Sequence, residues 1–423
     1  MNILKKLFVL PLATVLLGTT LCSCSNPAPA PVVDVPEEDG WVAAWSSAQL
    51  TAGANETPMN PALKENSCRQ QIRVSIGGDK IKITFSNLFG DIPLKIEAAH
   101  IAHLLDPTSS TIDTSTDTAI TFNGGETSVT VEAGQELVSD EIDFSFEALD
   151  TLAITTKFGK YVGGTITSHT ASRCTTWIAE GDHVTDETFP AGSGEMTSWY
   201  YLAEVDVWAS AGTKTLICYG DSITDGAAGH TNTFPRYSDT LASLLADDLD
   251  YSNVSVVAKG IGGTVLRGEW GTAGMARLER DVLNVPGARY VILLYGVNDI
   301  GGAQEDISQS LIDTYKTLIE KCHEKGIKVY GATIVPFGGS GYYSDLHEEI
   351  RIKVNEFIMS DNSGFDGYID FAAALADPAD ATKMAAEYNV SAWNDWLHPG
   401  NAGYQKMGET AYEALKAIWN AEK

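Results

Sequence analysis

Basic residues are scarce in this chain: 28 Lys and Arg stand against 56 Asp and Glu, a formal charge of −28. A surface so acidic repels polyanions, which excludes nucleic acid and an anionic membrane face as partners. It suits a soluble protein acting on a neutral substrate. Cysteine is also sparse, six in 423 residues. No C-x-x-C pair and no zinc-type spacing occurs, so neither a disulfide scaffold nor a metal site is implied. No G-x-G-x-x-G is present, because Val265 stands where "VVAKGIGGTVL" would need its third glycine. Nor is there a G-x-S-x-G elbow around any serine of interest. The chain therefore calls for no nucleotide, metal or other cofactor. What is present is globular: 44% hydrophobic and 20% charged residues, over a length that favours two folded domains.

The amino terminus reads as a processing signal. Lys5 and Lys6 precede the apolar run from Leu7 to Leu17, which is too short for a membrane span. "LCSC", Leu21 to Cys24, resembles the lipobox of bacterial lipoproteins, with Cys24 rather than Cys22 as the lipidated residue because Ser23 is small and Leu21 is not. The resemblance implies residues 1–24 as signal and lipobox, and an exported lipoprotein anchored at the cell surface or facing the periplasm. Its membrane contact would be through that lipid alone. Plain secretion with cleavage nearby is the alternative. Residues 25–40 are Pro-rich and acidic, a semi-extended tether. Of the later cysteines, Cys218 lies in an apolar strand, while Cys68 and Cys174 share one domain and their pairing stays open.

Two halves with different periods follow. Over residues 41–212 short strands alternate: Ile72, Val74 and Ile76 on one face, then Ile81, Ile83 and Phe85 on another across a Gly-Gly-Asp turn. "TSVTVEAG", "TLAITTKFG" and "SWYYLAEVDVW" repeat the pattern, which predicts an all-β sandwich of jelly-roll type. Over 213–423, continuous apolar strands ("TLICYG", "VSVVAKG", "YVILLYG", "IKVYGATI") alternate with helices predicted at 235–249, 273–284, 306–325, 344–359 and 402–421. That pattern is a parallel sheet covered on both faces, an α/β domain whose ligands bind beyond the carboxyl ends of its strands.

Polar residues collect at those ends. Ser222 follows the strand "LICYG" in "LICYGDSITDGAAGH", and its amide is expected to open a helix and so to be free. Gly263 stands in a glycine turn after the second strand, and Asn298 in "YGVND" after the third. Among eight histidines, His100 and His103 point to opposite strand faces, and His323 and His347 are expected on solvated helix faces. His398 differs: Asp395 lies three residues before it and Pro399-Gly400 follow, so a tight turn can set carboxylate beside imidazole. A serine nucleophile needs such a base and orienting acid, and donors for the oxyanion that forms.

GDSIT, the glycine turn, G-x-N-D and D-x-x-H-P form one ordered set that resembles the SGNH (GDSL) hydrolase family over residues 213–423. The resemblance implies a flavodoxin-like three-layer fold with Ser222 as nucleophile, His398 as base and Asp395 as its orienter. The Ser222 and Gly263 amides and the Asn298 side chain would form the oxyanion hole. The second block departs from the family at Ala258, where asparagine is usual, which removes a loop-bracing hydrogen bond. "RQQIRVSIGGDKIKITFSNLFGDIPLKIEAAHIA" resembles the β-domain of secreted bacterial esterases, acetylxylan-esterase-like enzymes among them, and leaves two roles open, sugar binding or bracing. Trp270, Trp393 and Trp396 are candidate substrate-binding residues, with core packing as the other reading. The expectation is a serine esterase removing short acyl groups, O-acetyl foremost, from a carbohydrate. A lipase or thioesterase would share every catalytic residue. A non-catalytic glycan-binding lipoprotein would predict a broken set.

Overall fold

The computed structural model describes residues 38–423, apart from 161 and 163. The proposed signal, Cys24 and most of the tether lie outside the described residues.

Residues 40–209 build antiparallel sheets only. One sheet holds Gly40–Ser46, Leu202–Ala209, Gly78–Ser86, Glu136–Val138 and Ile142–Phe146. A larger one is centred on Asn66–Arg73, Thr151–Phe158 and Leu94–His103, and a small third sheet joins Leu50–Thr51, Thr167–Thr170 and Ser198–Tyr200. The strands on either side of Gly77-Gly78 do not pair with each other. They enter different sheets, and Ile72, Val74, Ile81, Ile83 and Phe85 meet in one buried cluster between them. Each such side chain contributes roughly 1.5–3 kcal/mol by leaving water. The run "SWYYLAEVDVW" proves to be two strands, because Tyr201 takes φ 56° and turns the chain from the small sheet into the first. A left-handed backbone is rare for a bulky residue, and alternation cannot reveal it.

From Lys214 onward, parallel strands β1 (Lys214–Gly220), β2 (Val254–Gly260), β3 (Ala288–Leu294), β4 (Lys328–Ala332) and β5 (Gly367–Ile369) form a sheet in the order 2-1-3-4-5. This is the doubly wound order of flavodoxin-like sheets, whose switch point lies between β1 and β3. Helices α1 (Tyr237–Asp247) and α4 (Asn401–Ala421) pack together, as do α2 (Ser308–Glu324) and α3 (Asp345–Ile358). Each buries a stripe at helical spacing, such as Leu311, Tyr315, Leu318 and Cys322 on α2. β5 has only three residues and escaped the periodic reading.

The two halves share one compact unit. The first strand of the β half reaches into the other: Ala43 belongs to the α/β core, its amide donates to the Pro286 carbonyl at 3.2 Å, and its carbonyl accepts from Ser255. Cys68, Cys174, Cys218 and Cys322 are buried free thiols, so Cys68 and Cys174 are not paired.

Candidate active site

Ser222 lies just past the end of β1, but no helix begins there. The chain makes a compact turn, with the Asp225 amide donating to the Asp221 carbonyl (3.0 Å) and that of Ala227 to Ser222 (2.9 Å); α1 starts only at Tyr237. The Ser222 amide is therefore free because of this turn rather than a helix start. It has no partner among the described residues, and neither has that of Gly263. The turn lies directly against β2: a Cβ on Gly260 would stand 2.4 Å from the Asp225 nitrogen. Only glycine permits that approach.

The Ser222 hydroxyl is 2.9 Å from Nε2 of His398, and His398 Nδ1 is 2.7 Å from Oδ2 of Asp395. Both members of the first pair are buried, Ser222 7% and His398 8% exposed. The other Asp395 oxygen accepts the backbone amides of Leu397 and His398 at 3.0 and 2.9 Å. Burial works to raise this carboxyl, and those two amides with the imidazole outweigh it, holding it below the ordinary carboxylate range. An ionised Asp395 fixes Nδ1 of His398 as the donor and leaves Nε2 to take a proton from Ser222.

Residues 262–264 complete the site's other side. A Cβ on Gly262 would come within 3.8 Å of the Ser222 Cβ, and Gly263 has φ 74°, a left-handed conformation with nothing near its open face. Asn298, in the short helix Val297–Gly301 after β3, donates from Nδ2 to the Thr264 carbonyl at 2.9 Å. Its Oδ1 accepts from the Tyr342 hydroxyl at 3.1 Å. A carbonyl can only accept, so the amide nitrogen must face Thr264. One amide proton then remains free for a developing oxyanion. Residues 218–406 match the GDSL-like Lipase/Acylhydrolase family.

Three solved structures resemble about half of this chain. They are a G-D-S-L family protein from Desulfitobacterium hafniense (21% identity, 48% of this chain and 99% of that one, TM-score 0.37); a lipase/acylhydrolase from Enterococcus faecalis (21%, 48% and 96%, 0.36); and an acetylxylan esterase from Geobacillus stearothermophilus (21%, 48% and 94%, 0.35). No curated protein matches the chain.

Several supporting residues of the GDSL-like site carry no sequence signal. Arg277, 3% exposed, donates to the Gly220 carbonyl and the Lys259 carbonyl, both at 2.9 Å, and to Asp281 at 2.7 Å. It thus ties together the ends of β1 and β2. Asp299 accepts the amides of Leu266 (2.8 Å) and Arg267 (3.2 Å), holding the loop after β2. Burial pushes Asp221 up to about 7. Tyr342 lies in a Gly/Ser-rich loop, where an aromatic residue looks like any other loop residue. His347, expected on a solvated face, instead anchors that loop: its ring nitrogens lie 2.6 and 2.9 Å from the Tyr342 and Ala303 carbonyls. His323 is likewise tied, to Asp366 at 2.8 Å.

The three tryptophans separate. Trp393 stands perpendicular to the His398 ring, centroids 4.9 Å apart, and is 54% exposed. Trp270, on the loop after β2, is 86% exposed. Trp396 packs against the α/β core, with Gly339 beneath its ring. Among the described residues no cluster of metal-ligating side chains occurs, and no helix is long and apolar enough to cross a membrane.

Proposed function

We propose that this protein is a serine esterase that removes short acyl groups, O-acetyl foremost, from carbohydrates. The observation that carries the esterase reading is the Ser222–His398–Asp395 relay at 2.9 and 2.7 Å, facing unpartnered amide donors. Ser222 Oγ attacks the ester carbonyl while His398 Nε2 takes its proton. The oxyanion is met by the Ser222 and Gly263 amides and by Asn298 Nδ2. Collapse expels the alcohol, which receives the proton from His398, and leaves an acyl-serine. Water, deprotonated by His398, then releases the acid.

The carbohydrate assignment rests on weaker support. Trp393, beside the His398 ring, and Trp270, on the loop after β2, carry exposed ring surface of the kind that stacks on a sugar. The charge of −28 suits a neutral, hydrated polymer. The same exposed rings, with Val390 at 70% exposure, are what favour the second reading, a lipase or thioesterase meeting an apolar acyl chain. A series of p-nitrophenyl esters, run beside acetate release from acetylated xylan, separates the two. The proposal expects kcat/KM to be highest at acetate, and a rise through chains of about eight carbons would transfer the assignment to a lipase.

The export reading belongs here too: lipidation at Cys24 would tether the enzyme at the membrane, facing outward. Cys24→Ser should then move the protein from the membrane fraction to the soluble or unprocessed one, and unchanged fractionation would contradict it.

A further inference from the structure

His169 is absent from every motif, yet it is 3% exposed and reaches from the β half into the turn that carries the nucleophile. It belongs to the four-residue strand Thr167–Thr170. Its Nε2 lies 2.9 Å from Oδ1 of Asp225, three residues after Ser222, and its Nδ1 lies 2.7 Å from the Ala48 carbonyl. Arg236, also buried, donates from Nη2 to the same Asp225 oxygen at 3.0 Å and to the Ser172 carbonyl at 3.0 Å. The Asp225 amide in turn closes the nucleophile turn on the Asp221 carbonyl. The path from His169 to the Ser222 backbone is thus an unbroken sequence of hydrogen bonds and one short stretch of chain.

We infer that His169 is a positioning residue for the esterase reaction, through which the β half fixes the conformation of the turn bearing Ser222; this rests on the esterase reading above.

Burying the Asp225 carboxylate is costly unless it is paired. Burial does work to raise this carboxyl, but the charges of His169, Arg236 and Arg173 and the His169 hydrogen bond overcome it and hold it below its ordinary range. The carboxylate therefore persists as an acceptor for both donors. A purely internal brace would need only Arg236, which the α/β half supplies. The second donor comes from the other half, and its far nitrogen is pinned to Ala48, so the imidazole cannot follow Asp225 if the turn shifts. Trp199 backs the assembly, with ring centroids 5.4 Å from His169 and its face 5.5 Å from the Arg236 guanidinium carbon.

The experiment uses the full chain and two near-isosteric substitutions. Glutamine places its amide nitrogen where Nε2 stands and can still donate to Asp225; asparagine reaches only the Nδ1 position and keeps the Ala48 contact. With p-nitrophenyl acetate, His169→Asn should lower kcat about tenfold or more with KM within about twofold, since displacing a reacting group by about 1 Å can cost on the order of a hundredfold. His169→Gln should retain kcat within about threefold of wild type. Melting temperatures are measured for both, and assays are run well below them. The rate at which a fluorophosphonate labels Ser222 should follow kcat across the series. If both variants lose melting temperature equally while kcat and labelling stay at wild-type values, or if both lose kcat alike, the positioning role is overturned. A folded wild type inert to both ester and fluorophosphonate would instead overturn the esterase reading, and this inference with it.

Discussion

Two buried arginines, one in each half, use the same chemistry to different ends. Arg69, in the β half, donates to the carbonyls of Ser110, Asp186 and Glu187 and so secures surface loops to the face of a sheet. Arg277, in the α/β half, donates to the carbonyls of Gly220 and Lys259, at the strand ends from which the Ser222 turn and the Gly263 loop depart. Both guanidiniums donate to backbone carbonyls, some of which also accept a backbone amide, and removing either would break several buried hydrogen bonds at once. Burial and hydrogen bonding alone therefore do not mark a functional residue. What matters is which backbone the clamp holds, and only in the α/β half does that backbone present groups to a reacting ester.

The largest expected effect within this contrast is at Asn298. Asn298→Ala should lower kcat about a hundred- to a thousandfold with KM little changed, because its amide meets charge only in the transition state. A loss confined to KM would move Asn298 to ground-state binding. Next come the arginines: Arg69→Met and Arg277→Met should both lower the melting temperature, since each breaks several buried hydrogen bonds at once. Assayed well below those temperatures, only Arg277→Met should also lower kcat; equal kcat values would dissolve the distinction between the clamps. Tyr342→Phe should be milder, a loss of about two- to tenfold in kcat, the worth of one orienting hydrogen bond.

The smallest effect concerns pH and the junction of the halves. Burial, and then the neighbouring Glu204 carboxylate, push Asp206 up to about 8, with Lys259 pulling the other way. The folded state therefore keeps a proton that the unfolded chain releases above about pH 4, so stability falls as pH rises from about 4 to about 8. Asp206→Asn should lessen this slope, raising the melting temperature at pH 8 and changing it little near pH 4. A variant equally shifted at both pH values would show that the proton is not involved.

These differences also explain how much of the fold and of the site is legible in the sequence. The alternation of Ile81, Ile83 and Phe85 and the apolar runs of β1 to β4 expose their periods directly, because one or both faces must be buried along the whole element. Ser222, Asp395 and His398 were legible because the turns that carry them need Gly, Asp and Pro at fixed offsets. His169, Arg277 and Tyr342 were not. Each acts through a contact made by tertiary packing across tens of residues or more, with the Tyr342 hydroxyl reaching Asn298 and the His169 ring reaching Asp225. No local spacing encodes such a meeting. The break at Tyr201 was hidden for a related reason, since its backbone angle is set by the two sheets it joins.

The central claim is that Ser222 is the nucleophile, and covalent labelling tests it most directly. A fluorophosphonate should add once per chain, Ser222 Oγ displacing fluoride from phosphorus while His398 takes the serine proton, with the adduct on the peptide containing "GDSITDG" and ester hydrolysis falling in step with its mass signal. Ser222→Ala should take up no label. A single adduct on another residue, or full hydrolysis by protein already labelled at Ser222, would contradict the account.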